Sequence, residues 1–276
     1  NTGIELSLGY NHTWNNNFHW DSNFTLSHNK NEIKELVRDY LHPETGEIIN
    51  KDRLEIGKLG KAKFILKEGG TLGDLYSQSD LKRDNNGMVE IDPSGALVVE
   101  NNLDDIKLGT VFPKANLAWN NHFSWKGISL SALITARIGG IVYSATEAAM
   151  DQYGVSERSA LARDNGGVLL NGRTLVDAQT YYTAIGSESG LPQYYTYSAT
   201  NVRLQEASLG YTIPRKWLGN ACDIQVSVVG RNLWMIYNKA PFDPEAVATT
   251  DNYYQGIDYF MLPSTRNIGV NVKITF

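Results

Sequence analysis

The chain has 276 residues, with 25 Lys and Arg against 30 Asp and Glu, a formal net charge of −5 and a single cysteine, Cys222. The acidic balance and the lack of any basic cluster speak against a nucleic-acid binder, and one cysteine cannot form an internal disulfide. No run of about 18 apolar residues suggests a transmembrane helix, which leaves open a membrane protein built from strands, whose alternation averages to a polar score.

The alternation begins at once. Ile4, Leu6, Leu8, Tyr10 and Trp14 share one parity, and Glu5, Ser7, Gly9, Asn11 and Thr13 share the other. After a turn at residues 15–17, Phe18, Trp20, Phe24 and Leu26 alternate with His19, Asp21, Asn23, Thr25 and Ser27. This pattern predicts a long hairpin with one apolar and one polar face. Trp14, Phe18 and Trp20 lie near its turn, where a membrane interface places aromatic residues.

Residues 30–60 are charged and carry Pro43 and Gly46, and are expected to form a loop. A weaker hairpin is predicted across Gly69-Gly70, from Lys63–Lys67 to Thr71–Ser77. Residues 78–112 again read as a long loop, with the turn signal Asp92-Pro93-Ser94-Gly95. Next comes the clearest pair. Leu117, Trp119, Phe123 and Trp125 oppose Asn116, Asn120, His122 and Ser124, and a turn at Lys126-Gly127 leads into Ile128, Leu130, Ala132, Ile134, Ala136 and Ile138. Arg137 falls on the polar parity, away from lipid, where it would cost about 2–4 kcal/mol at mid-bilayer.

Residues 140–196 form a long insertion with a short helix expected over Thr146–Gln152. Strands resume near Thr196. Ala207, Leu209, Tyr211 and Ile213 form one apolar row, but Val202 and Leu204 have the opposite parity, so a bulge or an exit from the membrane is expected near Gln205-Glu206. Ile224, Val226 and Val228 alternate with Gln225 and Ser227, with the phase blurring at Gly230. A Pro- and Tyr-rich loop over 238–262 precedes Ile268, Val270, Val272, Ile274 and Phe276, an apolar row interleaved with Asn271, Lys273 and Thr275.

Roughly nine antiparallel strands are thus expected, with connections alternately short and long. Outer-membrane barrels have short periplasmic turns and long extracellular loops. Taking the short turns as periplasmic puts an odd number of strands between the two ends. Complete bacterial barrels are usually even-stranded, and an open sheet in lipid leaves unpaired edge groups. The expectation is therefore the C-terminal part of a larger barrel.

Several segments carry a resemblance. They include the runs at 68–76 (Glu68-Gly69-Gly70-Thr71-Leu72), at 108–114 (Leu108-Gly109-Thr110-Val111-Phe112-Pro113-Lys114) and at 123–130 (Phe123-Ser124-Trp125-Lys126-Gly127). Further runs are Arg137-Ile138-Gly139-Gly140, residues 202–214 (Val202-Arg203-Leu204-Gln205-Glu206) and Gly230-Arg231-Asn232-Leu233-Trp234. Asp243-Pro244-Glu245, Leu262-Pro263-Ser264-Thr265-Arg266 and Phe276 complete the set. In order and spacing the chain resembles the C-terminal third of the SusC/RagA family of TonB-dependent outer-membrane transporters. The resemblance implies an all-β barrel of about 22 strands with an N-terminal plug in its lumen, the plug and the first strands lying upstream of residues 1–276. It also implies import of large nutrients, oligosaccharide or peptide, with a SusD-like surface lipoprotein as lid and TonB acting through the plug. The barrel-assembly machinery would recognise Phe276, whose deletion is expected to lower outer-membrane yield.

Tyr181, Tyr182, Tyr194, Tyr195, Tyr253 and Tyr254 lie in the long loops, and aromatic faces with polar tips suit sugar or peptide contact. Loop packing, or docking on the lid, would equally place them there. Arg137, with Asn120 and His122, faces the lumen and so either substrate or plug. Arg231-Asn232 reads as a bulge contact. Asp84-Asn85-Asn86-Gly87 and Asp164-Asn165-Gly166 lack the spacing of a calcium loop, the five histidines form no metal spacing, and Gly186-Ser187-Glu188-Ser189-Gly190 lacks the context of a hydrolase elbow. No catalytic set, metal or other cofactor is therefore expected. The rival readings are an adhesion barrel that binds at the cell surface without transport, an outer-membrane enzyme, and a soluble lectin-like sandwich.

Overall fold

The computed structural model describes residues 1–14, 17–219, 221–249 and 254–276. The first two alternating runs become β1 (Thr2–Thr13) and β2 (Phe18–Lys30), paired antiparallel with Leu8 opposite Phe24 and Gly9 opposite Asn23. The connection that follows holds β3 (Val37–Leu41), β4 (Ile48–Lys51), β5 (Arg53–Leu59), β6 (Ala62–Lys67), β7 (Asp74–Leu81) and β8 (Val99–Thr110). β9 (Ala115–Trp125) and β10 (Ile128–Ile138) form the second long hairpin, and β9 also pairs with β2.

The next connection carries β11 (Ile141–Ser144), α1 (Ala145–Gln152), α2 (Glu157–Asp164), β12 (Val168–Leu170), β13 (Thr174–Val176), α3 (Ala178–Gly186), α4 (Pro192–Tyr195) and β14 (Thr196–Ser198). β15 (Asn201–Ile213) and β16 (Asp223–Asn238) make the third hairpin. After β17 (Ile257–Asp258), the last strand is β18 (Asn267–Thr275).

The long strands form one antiparallel sheet in the order β1-β2-β9-β10-β15-β16-β18. Register keeps the two parities apart. On one face Leu130 lies opposite Leu209, Leu209 opposite Val228 and Val228 opposite Val270. On the other, Ser131 faces Ser208 and their hydroxyls hydrogen-bond. The apolar row is open to its surroundings, with Leu209 58%, Val228 50% and Val270 70% exposed. A continuous apolar band of this extent suits hydrocarbon, not water.

Near the short turns the band changes to aromatic residues. Tyr10 and Trp20 have ring centroids 5.1 Å apart, Trp14 and Phe18 5.4 Å, and Trp20 stacks on Phe123 at 5.9 Å. Two polar residues on the lipid-facing parity are satisfied here by indoles: Trp119 Nε1 donates to Ser22 Oγ at 2.9 Å, and Trp20 Nε1 to Asn121 Oδ1 at 3.2 Å. This is the girdle expected where the wall meets an interface.

The bulge expected near Gln205-Glu206 is present. Leu133 pairs with Glu206 and Ile134 with Leu204, so Gln205 is the extra residue, and Val202 and Leu204 return to the apolar face. Gln205 Nε2 donates to Asn232 Oδ1 at 3.0 Å, Asn232 Nδ2 donates to Thr265 O at 3.1 Å, and Arg231 Nε reaches Glu206 at 2.9 Å. Arg231 and Asn232 therefore serve the bulge.

Among the described residues the wall has seven strands, where roughly nine were expected. The weak hairpin at Lys63–Ser77 does not enter the wall; it belongs to a four-stranded sheet, β5-β6-β7-β8, in the first long connection. Its alternation is poor because both faces are covered. Consecutive residues Phe64 and Ile65 are each 1% exposed. Residues 78–112, expected as loop, contribute the end of β7 and all of β8. The charged residues of β8 hid it: Asp105 and Lys107 pair with side chains across the sheet, while Glu100 and Asp104 are exposed. β3, β4 and β5 likewise fall within residues 30–60, where only a loop was expected.

All three long connections leave the same end of the wall and share one core. Phe64, Leu75 and Val111 from the first meet Tyr143, Ile185, Leu191 and Tyr195 from the second and Ile257 from the third. Gly60 fits this packing closely: its φ is +55°, and a Cβ there would lie 2.1 Å from Glu188 O.

Candidate functional site

Everything polar that a solute would meet lies on the inner face of the wall or in the loop unit at its long-loop end. The helices of that unit are set by side-chain caps. Ser144 accepts from Glu147 N at 3.0 Å, Ser156 from Ser159 N at 3.1 Å and Asp177 from Thr180 N at 3.0 Å, each satisfying an orphan amide of the first turn. The expected helix over Thr146–Gln152 is α1. α2 and α3 were not anticipated, because their capping serine and aspartate read equally as loop residues.

Between the helices lies a buried ion pair. Arg158 Nε donates to Asp151 Oδ1 at 2.9 Å, Arg158 Nη2 lies 2.6 Å from Oδ2, and Tyr195 Oη donates to Oδ2 at 2.9 Å. Burial works against the Arg158 charge, but the bond to Asp151 more than offsets this, and its pKa rises. Tyr195 is fully buried, and that burial, with the adjacent carboxylate, pushes its phenol far up.

The tyrosines read from the sequence divide by burial. Tyr182 is buried and donates to Arg158 O at 3.3 Å, and Tyr195 closes the ion pair. Tyr181 packs edge-on against Tyr182 at 5.1 Å, and burial pushes its phenol up to about 12. Half-buried Tyr194 meets Arg83 Nη2 at 3.5 Å. Tyr254 is exposed and sets its edge against Phe64 at 5.9 Å. Tyr253 lies outside the described residues. Tyr181, Tyr194 and Tyr254 are the ones that offer surface.

Arg137 stands at the long-loop end of β10, on the polar face, with Nη2 donating to Val111 O at 2.7 Å. It lines a groove of about 540 Å³ on the inner wall with Glu5, Ser7, Thr25, Asn116 and Glu245. Asn120 and His122 lie lower on the same face, opposite Leu133 and Ser131. Phe276 follows β18 and is 93% exposed on the apolar parity.

Sequence reading did not anticipate the tie among three of the segments that carried the resemblance. Arg203, buried on the inner face of β15, bonds Asp243 through Nη2 and again through Nη1 at 3.4 Å, and lies 3.1 Å from Glu245. Asp243 also accepts from Ser264 N at 3.3 Å. Burial acts to raise the Asp243 pKa, but the bonds from Arg203 and Ser264 outweigh it and hold the carboxyl below its ordinary value. The available signal was an arginine on the inner parity of a strand and a carboxylate pair in a loop far along the chain.

A second polar lattice braces the β5–β8 sheet. Asp105 accepts from Arg53 Nε at 2.7 Å, Gln78 Nε2 at 2.9 Å and Lys67 Nζ at 3.2 Å. The Arg53 bond chiefly holds its carboxyl far below the usual carboxylate range. Asp84, in the first calcium-like run, accepts from Asn86 N at 2.8 Å and Met88 N at 2.9 Å, as a turn aspartate does.

No protein-family model matches the chain. It is 24% identical over 299 aligned residues to TonB-dependent receptor P3 of Formosa agariphila, the match covering 99% of this chain and 28% of that protein. It superimposes on the RagAB peptide importer in its closed-closed state with TM-score 0.64 at 16% identity, covering 99% of this chain and 29% of the other. The open-open state of the same importer gives TM-score 0.64 over 28% of its chain. The chain thus spans under a third of the length of these relatives. In fold the chain is all-β and resembles part of the outer-membrane β-barrel of that importer, in agreement with the resemblance in its sequence.

Proposed function

We propose that residues 1–276 are the C-terminal portion of a longer TonB-dependent importer, and that the whole protein carries oligosaccharide or peptide across the outer membrane. One observation carries this reading. Three long connections from one end of a lipid-facing wall fold into a single unit over a polar inner face. A polar inner wall is common to outer-membrane barrels, so the preference for import over adhesion rests on the likeness to importers and on loops gathered over that wall. The two edge strands, β1 and β18, are not paired with each other among the described residues. Edge amides in lipid cost several kcal/mol each, which supports a wall closed by further strands.

In this reading a SusD-like lipoprotein covers the loop unit and TonB acts through an upstream plug. The barrel-assembly machinery engages the end at Phe276, and membrane lipid surrounds the apolar band. The protein is a transporter and not an enzyme, and nucleic acid plays no part. The names of the similar proteins, a TonB-dependent receptor and a peptide importer, support the reading.

The test is uptake in cells carrying or lacking the complete gene, with labelled oligosaccharide and peptide mixtures, and with TonB present or deleted. Uptake of one mixture is expected to require both the gene and TonB. Binding to cells that survives TonB deletion without any uptake would replace import with surface adhesion. The native mass of the detergent-extracted complex gives an independent check, since the importer should be several times longer than this chain and carry a second surface protein.

A further inference from the structure

The helices α1, α2 and α3 border an open cleft of about 260 Å³ that the importer reading does not use, with Tyr153, Arg163 and Gln179 exposed at its rim. Its wall is polar and has donors to spare. Gln152 and Tyr153 come from the end of α1, Arg163 from α2, and Gln179 from the first turn of α3. Among the described residues none of these four side chains has a hydrogen bond or ion pair. The guanidinium of Arg163 lies across the α1–α2 turn. Its Nη1 would sit 2.9 Å from a Cβ at position 154, where the chain has Gly154 at φ +67°. The left-handed backbone there is what glycine supplies.

The one carboxylate lining the cleft, Asp151, does not oppose an anion. Both its oxygens are already bound by Arg158, and Tyr195 and Ser156 add further donors. Arg163, itself exposed, therefore presents a fork of N–H donors with no partner among the described residues at the mouth of the cleft. Two amides with donors and one aromatic ring stand beside it. A planar carboxylate is the group this fork matches, through two parallel bonds. The amides and Tyr153 suit the polar remainder of such a ligand.

We propose that this cleft binds a carboxylate-bearing segment of the imported material. Two sources supply that chemistry: the acidic side chain or terminus of a peptide, and the uronic acid of a glycan. The site is distinct from the inner-wall groove at Arg137 and is built wholly within residues 151–182. Its biological meaning rests on the importer reading, but its chemistry does not.

The test uses the complete protein in detergent, titrated with two charged probes: a galacturonic acid trisaccharide and a hexapeptide containing aspartate and glutamate. A galactose trisaccharide and the corresponding asparagine and glutamine hexapeptide serve as neutral controls. One charged probe should bind, and better than its control. Arg163→Gln should weaken that binding roughly tenfold to a hundredfold, the loss of charge-assisted bonds, and leave the neutral control unchanged. An unaltered melting temperature would show that the variant folds, and Gln179→Ala should give a smaller loss of the same sign. Failure of both charged probes, or equal binding by wild type and Arg163→Gln, overturns the proposal. If charged-probe binding depends on Arg163 but TonB-dependent uptake is absent, the cleft stands and the importer reading falls. If uptake is intact and indifferent to Arg163→Gln in both binding and transport, the importer reading stands and the cleft falls.

Discussion

Replacing Arg203 by methionine tests how the last long connection is held to the wall. Methionine keeps the unbranched stem of the side chain and removes the guanidinium with its charge. Asp243 is then left with its side chain only 9% exposed and no cation within the protein core of that contact. Breaking a buried pair from one side costs about 3–5 kcal/mol. The lower end applies here, because Asp243 keeps the N–H of Glu245 at 3.1 Å and that of Ser264 at 3.3 Å. A loss of about 3 kcal/mol raises the opened population of the loop roughly 150-fold. Hydrogen exchange on the complete protein in detergent should show this as faster exchange over residues 239–249 and 258–266, with β16 and β18 unchanged. The double variant Arg203→Met with Asp243→Asn should recover most of the protection, because no buried charge remains unpaired. Exchange in Arg203→Met at the wild-type rate would refute the reasoning. So would a double variant as damaged as the single one, since that would mean packing, not charge, holds the loop.

The lipid-facing parity is tested by Leu130→Arg against Ser131→Arg: the first should cost about 2–4 kcal/mol and the second far less, read as folded barrel yield in the outer membrane, and equal losses would contradict the assignment of faces. Gly60→Ala adds about 1–2 kcal/mol of left-handed strain to a clash with Glu188 O, and should speed exchange in β5 and β6; unchanged protection there would show that the loop unit yields easily at this contact. The Asp105 carboxyl has a folded pKa far below its unfolded value, so its contribution is present above the unfolded value, about 3.9, and is lost as pH falls through the folded one. The stability difference between wild type and Asp105→Asn should therefore be flat from pH 6 to 8 (about two units clear of that value) and shrink below about pH 4. A difference that instead grew in acid would mean the carboxylate is not what braces this sheet.

The wall was legible in the sequence because each of its strands has one neighbour of constant polarity on each side. Leu130, Leu209, Val228 and Val270 all meet the same solvent and so repeat at a period of two. Even the break was legible: the change of phase between Leu204 and Ala207 required a bulge or an exit from the membrane, and Gln205 is the extra residue of a bulge. Sites in the loop unit had no such medium to imprint a period. Phe64 and Ile65 are both buried, and the β8 carboxylate of Asp105 is consumed by Arg53, 52 residues away.

The same logic decides which polar residues were readable as sites. Arg137 stood out because its parity placed it inside, and the groove it lines follows from that parity. Arg163 did not, because its isolation is a property of three helices meeting around Gly154. No pattern within eight residues of α2 says whether its arginine finds a partner. Arg158, one and a half turns earlier, finds Asp151; Arg163, among the described residues, finds none. Two arginines in one short helix thus have opposite fates, one satisfied inside the fold and one presented to whatever enters the cleft. That difference is tertiary, and it makes Arg163 the residue whose substitution should change binding while leaving the fold intact.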